Sequence, residues 1–204
     1  MYSELENLIV HLAANGKVIP QDRLKLLHDI ATYIGKKQRD GEPVKLNFIC
    51  TENSRRSHLS QLLAAALAHH FNLPIKTYSG GTVVSACNPR TIAALKRAGF
   101  AIENPGGENP KYVVRFAVDA EPILAYSKLY DAPENPQDSF IAVMVCGSAD
   151  KNCPFIPNAE KRFALTFDDP KVADDTPDEA ATYDAKIIEI GTQLYYLFNL
   201  VKNG

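Results

Sequence analysis

Cysteine is scarce, net charge is close to zero, and no long apolar run occurs in these 204 residues. Four cysteines (Cys50, Cys87, Cys146 and Cys153) are too few to staple a chain of this length, which excludes a disulfide scaffold. A formal charge of −2 lacks the basic surplus of a nucleic-acid binder, so no nucleic-acid partner is expected. No stretch approaches the roughly 18 to 20 apolar residues of a membrane span, so no membrane partner is expected either. Met1-Tyr-Ser-Glu-Leu-Glu6 carries acids where a signal peptide carries basic residues, and a cytoplasmic location is the expectation. What remains is 46% apolar and 9% aromatic, the composition of a globular chain with room for one domain and a small helical extension. In a reducing compartment four free thiols are either packing or chemistry. Their neighbours decide which.

Apolar residues recur at helical spacing over residues 2–14 (Leu5, Leu8, Ile9, Leu12) and 21–38 (Leu24, Leu27, Ile30, Ala31, Ile34). Asn15-Gly16 breaks the first helix, Pro20 opens the second, and Asp40-Gly41 closes it. Residues 1–42 therefore read as a helical hairpin appended to a main domain at 43–204. Lys45–Cys50, Ile75–Ser79, Tyr112–Val118, Phe140–Cys146 and Arg162–Phe167 read as strands, with 123–129 open between strand and helix. Ser57–Phe71, Pro89–Ala98 and Tyr183–Leu200 read as helices. Alternating strands and helices imply a parallel sheet with helices on both faces, an α/β fold that binds ligands beyond the carboxyl ends of its strands. Cys50 and Cys146 both stand at such ends.

Between a strand and a helix lies Cys50-Thr-Glu-Asn-Ser-Arg-Arg56-Ser57. Cysteine, five residues, arginine and serine is the spacing of a loop wrapped around one tetrahedral anion. Backbone N–H groups of Thr51, Glu52, Asn53, Ser54, Arg55 and Arg56 would line such a loop, and the helix after it adds its positive end. A thiol in such a setting loses its proton readily and becomes a nucleophile. The Arg56 guanidinium can hold two oxygens at once, as lysine cannot. Ser57 can donate to the Cys50 sulfur, and Asn53 suits a left-handed turn within the loop.

Phe48-Ile-Cys50-Thr51-x-Asn53-Ser54-x-Arg56-Ser57 resembles the signature of low-molecular-weight protein tyrosine phosphatases and of the thioredoxin-coupled arsenate reductases that share their fold. The resemblance runs from about Lys45 to the C-terminus. It implies a three-layer α/β sandwich around a four-stranded parallel sheet, with Cys50 attacking phosphorus or arsenic. Attack leaves an oxygen that needs a proton. In Phe167-Asp168-Asp169-Pro170 the residue before the proline, Asp169, is the acid that the resemblance implies.

A phosphatase needs one cysteine; a reductase must supply two electrons and needs more thiols. Cys146-Gly-Ser-Ala-Asp-Lys-Asn-Cys153-Pro154 is similar to the paired-cysteine segment of the arsenate reductases. The implied sequence has three thiol steps. Cys50 attacks arsenate while Asp169 helps water leave; Cys146 attacks Cys50 and frees arsenite; Cys153 then attacks Cys146. Thioredoxin is the external reductant so implied, with no cofactor bound. Six intervening residues are wide for a zinc ligand pair, so no metal is expected. The alternative is a phosphatase acting on phosphotyrosine or small phosphate monoesters, and a third reading is an inactive oxyanion sensor.

The chain departs from the family pattern at Glu52, where glycine is usual, at Arg55, where a second cysteine is frequent, and in a longer segment 104–139. That segment and the hairpin could cover the site or form an interface, which leaves a homo-oligomer open. His58 is expected at a solvated helix position, His69 and His70 point apart, Cys87 and Tyr195-Tyr196 read as packing, and Asp168–Glu179 reads as a solvated loop.

Overall fold

The computed structural model describes residues 1–15, 19–153 and 155–204; the expected break at Gly16 and the proline Pro154 lie outside the described residues. Two helices lead the chain, α1 (Ser3–Ala14) and α2 (Gln21–Arg39). Four strands then form the main sheet: β1 (Val44–Cys50), β2 (Ile75–Gly81), β6 (Phe140–Met144) and β7 (Ala159–Ala164). Their order is β2-β1-β6-β7 and every pairing is parallel. The central strands β1 and β6 are buried almost throughout, as continuous apolar runs in a parallel sheet must be. The outer strands carry Lys76, Glu160 and Lys161, charges that blunt an edge.

Helices flank this sheet: α3 (Arg56–His70), α4 (Pro89–Arg97), the short α5 (Gly147–Asn152) and the long α6 (Glu179–Asn203). α3 packs on β1 and β2 and also against α6, so nearly all its sides are covered. α1 and α2 both pack on α6 as well, and Leu5, Ile9, Leu27, Ile30 and Ile34 join the same buried core as the sheet. Lys37, 4% exposed, ties α2 to β7 through Glu160 at 2.6 Å.

Several element bounds differ from the reading of the sequence. The expected strand at 112–118 closes at Arg115, and residues 123–125 form a strand too. These are β4 (Tyr112–Arg115) and β5 (Ile123–Ala125), which build a small antiparallel sheet with β3 (Ala101–Glu103). β7 begins and ends three residues earlier than its apolar residues suggested. Among the described residues no helix is long and apolar enough to cross a membrane.

Candidate active site

β1 ends at Cys50 and α3 begins at Arg56, so the intervening loop curls at the carboxyl end of the sheet. Asn53 has φ of 48°, the left-handed turn expected of it, and is the one residue of the loop with positive φ. Glu52 therefore keeps ordinary backbone geometry, and the turn does not require glycine at that position. The Asn53 side chain fixes the turn from inside: its Nδ2 donates to Ser57 Oγ at 2.9 Å and its Oδ1 accepts the Lys128 N–H at 3.0 Å. Ser57 Oγ lies 3.1 Å from the Cys50 sulfur, and both residues are buried.

The loop's polar groups divide cleanly. The carbonyl of Thr51 accepts from Thr82 and Val83, that of Glu52 from Ser85 and Ser127, that of Ser54 from Asn88, and that of Arg55 from Leu59. The N–H groups of residues 51–55 donate to no protein acceptor among the described residues. Backbone amides seldom stay unpaired, so a loop whose Thr51, Glu52, Ser54 and Arg55 carbonyls are engaged while its amides are not is suited to receive an anion. The 15-residue helix α3 adds its positive end at the same point.

Two glycines make this closeness workable. A Cβ on Gly81 would lie 2.6 Å from Val83 O and 2.8 Å from both Asn53 N and Thr51 O. One on Gly80 would lie 2.2 Å from the Tyr130 Cα.

A cavity of ≈ 220 Å³ opens above the loop, lined by Cys50, Thr51, Glu52, Ser54, Arg55, Arg56, Ser148, Asp169 and Lys171. It is large enough for a tetrahedral oxyanion, and its lining includes no aromatic ring. Arg56 reaches across it. One guanidinium nitrogen donates to Phe167 O at 3.0 Å and another to Asp169 Oδ2 at 2.5 Å. Asp168 is exposed, whereas Asp169 lines the cavity and caps the short 3-10 turn Pro170–Ala173 by accepting from Lys171 N.

Arg55 lines the cavity as well, its Nε 4.0 Å from Asp169 Oδ1, but its hydrogen bonds go elsewhere: Nε to Tyr183 Oη at 2.9 Å and Nη2 to Asp174 at 3.0 Å. Burial and the hydrogen bond to Asp174 push the Tyr183 phenol up to about 12, with Arg55 opposing. Arg90 on α4 takes Asp175 at 2.5 Å and Glu179 at 2.6 Å. The acidic stretch after Asp169 is thus pinned by two arginines rather than left as a solvated loop.

Cys146 stands at the end of β6, beside β1 in the sheet. Its sulfur is 3.4 Å from Thr51 Oγ1 and accepts the Ala149 N–H at 3.3 Å, with Ser148 Oγ at 3.8 Å. Burial pushes this thiol up. Thr51, the Ala149 amide, the Arg56 charge and Ser148 outweigh it, leaving the thiol below the ordinary range. Cys153 caps the far end of α5, half-buried, its carbonyl accepting from Arg162 at 3.2 Å. The structure thus gathers Cys50, Arg56, Ser57 and Asp169 at one point, sets Cys146 beside them, and leaves Cys153 one short helix away.

Cys87 is buried under the loop, where burial holds its thiol proton on. His58 corrects the expectation of a solvated position: it is fully buried, 3.4 Å from Ser79 Oγ. Burial and the charge of Lys128 push it down to about 3, so it stays neutral. Sequence reasoning missed Ser148 and Lys171 in the cavity wall, and Ser127 and Lys128 behind the loop. Lys171 could have been found by its place two residues after Asp169; the others become neighbours only through the fold.

A parallel α/β domain that holds cysteine, arginine and a carboxylate around an anion-sized cavity at its strand ends defines a class, the thiol enzymes of tetrahedral oxyanions. Comparison with known proteins narrows it. Residues 45–116 match the family described as low molecular weight phosphotyrosine protein phosphatase. An arsenate reductase of Staphylococcus aureus is 32% identical over 124 residues, 60% of this chain and 76% of that protein. One from Bacillus subtilis is 28% identical over 148 residues, 72% of this chain and 89% of that protein. Among solved structures, a YwlE mutant from Bacillus subtilis superposes with TM-score 0.53 at 16% identity, covering 78% of this chain and 99% of its own. A low-molecular-weight tyrosine phosphatase from T. tengcongensis gives 0.52 at 13%, covering 76% and 98%. The chain belongs to the low-molecular-weight phosphotyrosine phosphatase and arsenate reductase family, and is an enzyme of it.

Proposed function

We propose that this protein reduces arsenate to arsenite with three thiols, all within the catalytic domain 43–204, residues 1–42 being a helical extension. The observation that carries the reading is the second thiol at the anion loop, Cys146, within 3.4 Å of the hydroxyl of Thr51. A phosphatase has no use for it; a reductase needs a second electron source there. The polar, ring-free cavity wall also suits a small inorganic oxyanion better than an aromatic ester.

In this reading arsenate enters the cavity with its oxygens on the free amides and the Arg56 fork. The Cys50 thiolate attacks arsenic, and Asp169 protonates the departing oxygen so that water leaves. Arg56 lies within hydrogen-bond reach of Asp169, so one guanidinium orients both the anion and the acid. Ser57 steadies the sulfur through its hydroxyl. The Cys146 thiolate then attacks the Cys50 sulfur. The sulfur–arsenic bond breaks, its electron pair stays on arsenic, and arsenite is released behind a Cys50–Cys146 disulfide.

Cys153 must finally attack Cys146 and return Cys50 as a thiol. The two residues bracket α5, and seven residues of helix span about 10 Å. A disulfide needs Cα atoms within about 7 Å. α5 must therefore unwind during turnover, and a six-residue helix with Ala149 as its one buried residue resists little. The resulting Cys146–Cys153 disulfide is reduced by an external dithiol protein of the thioredoxin kind, in the cytoplasm.

Steady-state assay tests the reading: with a dithiol reductant the protein should form arsenite, and Cys146→Ser should stop it after the first chemical step. A second reading as phosphatase has one observation in its favour, since Cys50, Arg56, Ser57 and Asp169 suffice for phosphate ester hydrolysis without Cys146. Aryl phosphate hydrolysis that is fast, and indifferent to Cys146→Ser, would select it.

A further inference from the structure

The mechanism above leaves the two N-terminal helices, each packed on α6, without a task, yet side chains of α2 reach the β7 segment and the chain after it at three points. Lys37 meets Glu160 at 2.6 Å, the Tyr33 ring meets Phe163 edge-on at 6.0 Å, and Arg23 meets Thr166 and Phe167. The spacings agree. Fourteen residues of helix from Lys37 to Arg23 rise about 21 Å, and six residues of extended chain from Glu160 to Thr166, the last two beyond β7, rise about 20 Å. Running antiparallel to this segment, α2 delivers one side chain just beyond the carboxyl end of β7.

That side chain is Arg23. It donates to Thr166 O, and its guanidinium sits over the Phe167 ring, 5.2 Å from the centroid. Phe167 is the residue from which the acid segment departs, and it is held from three sides. Its ring lies under Arg23, its N–H donates to Val145 O at 3.1 Å, and its carbonyl accepts from Arg56 at 3.0 Å. Two residues on stands Asp169, at 2.5 Å from the same Arg56. Displacing Phe167 by an ångström moves both the acid and one support of the arginine, an error that costs heavily in a chemical step.

We propose that Arg23 is a positioning residue for Asp169, and that α2 serves the reaction by holding the acid segment in register with Arg56. The proposal rests on the reading of Asp169 as the general acid. Its test uses the full chain in two measurements, one of which needs no activity. Amide hydrogen exchange in Arg23→Met should rise over residues 165–169 and stay unchanged over 50–57. In single turnover with arsenate, Arg23→Met should slow the first step about tenfold, with half-saturation moved less than twofold. Asp169→Asn should then cost at least fivefold less in the Arg23→Met background than alone, because both lesions remove the same aimed proton. Arg23→Gln, which keeps a donor for Thr166 O without the charge over Phe167, should fall between. Unchanged exchange over 165–169, or full additivity with Asp169→Asn, would overturn the proposal. Raised exchange in Arg23→Met, together with a wild type that does not turn over arsenate, would place the failure in the reading of the reaction instead.

Discussion

The two thiol-bearing segments of the site are built in opposite ways. In the anion loop every carbonyl of Thr51, Glu52, Ser54 and Arg55 is engaged, Asn53 locks the turn, and Gly81 packs against it without a side chain. The α5 segment between Cys146 and Cys153 has six residues, one of them buried, and is held chiefly by Arg162 reaching Asp150 and the Cys153 carbonyl. The first is preorganised to stabilise charge on an anion; the second is weakly fastened and can move. A reductase of this design needs both: a fixed place for the oxyanion and a mobile carrier for the disulfide.

The largest effect should come from breaking the rigid half. Gly81→Ala drives a Cβ into Val83 O and the backbone of the loop, and should cut kcat/KM about 10³-fold by displacing the oxyanion donors. It should also lower stability by about 1–3 kcal/mol, measured by urea unfolding. Arg56→Lys keeps the charge and loses the fork, so it should cost about 10²-fold in kcat/KM with the fold intact by circular dichroism.

Smaller effects probe the join between the halves. The Cys146 thiol sits below its ordinary range, so the exchange that releases arsenite should speed up as pH rises through that lowered value and then level off. Thr51→Val removes a hydrogen bond from the sulfur. The rising limb should move to higher pH, and exchange at neutral pH should slow about fivefold, the worth of a hydrogen bond of roughly 1 kcal/mol. A profile that does not move, followed by stopped-flow thiol loss, would separate Thr51 from Cys146. Arg162→Ala should loosen α5 alone and speed formation of the Cys146–Cys153 bond about twofold, the worth of a partly exposed ion pair of about 0.5 kcal/mol. The arsenate step should not change.

This contrast also explains what the sequence made legible. The anion loop is contiguous, its residues act through fixed offsets, and one strand and one helix frame it, so Cys50, Asn53, Arg56 and Ser57 could be read from spacing. Asp169 was singled out only through the family resemblance, since Asp-Asp-Pro by itself reads as an ordinary turn. The supports behind the loop were not. Ser127 and Lys128 come from a segment more than 70 positions away, and only the pairing of Gly81 with Lys128 and Tyr130 brings them there. His58 was misread because α3 carries Ala, Ser and His on every side, which resembles a half-solvated helix. Enclosure between the sheet and α6 buries it instead. β3, three residues long, shows too little alternation to be seen before its partner is known.

Arsenate, in this reading, is held by the rigid loop and reduced when Cys146 attacks the Cys50 sulfur and the sulfur–arsenic bond breaks. Cys153→Ser stops the sequence one step later and makes that disulfide visible. Incubated with arsenate in the absence of reductant, this variant should release one arsenite per chain, and peptide mapping should find one disulfide, joining Cys50 to Cys146. Arsenite formed with that pair still reduced, or a bridge to Cys87 in its place, would contradict the account.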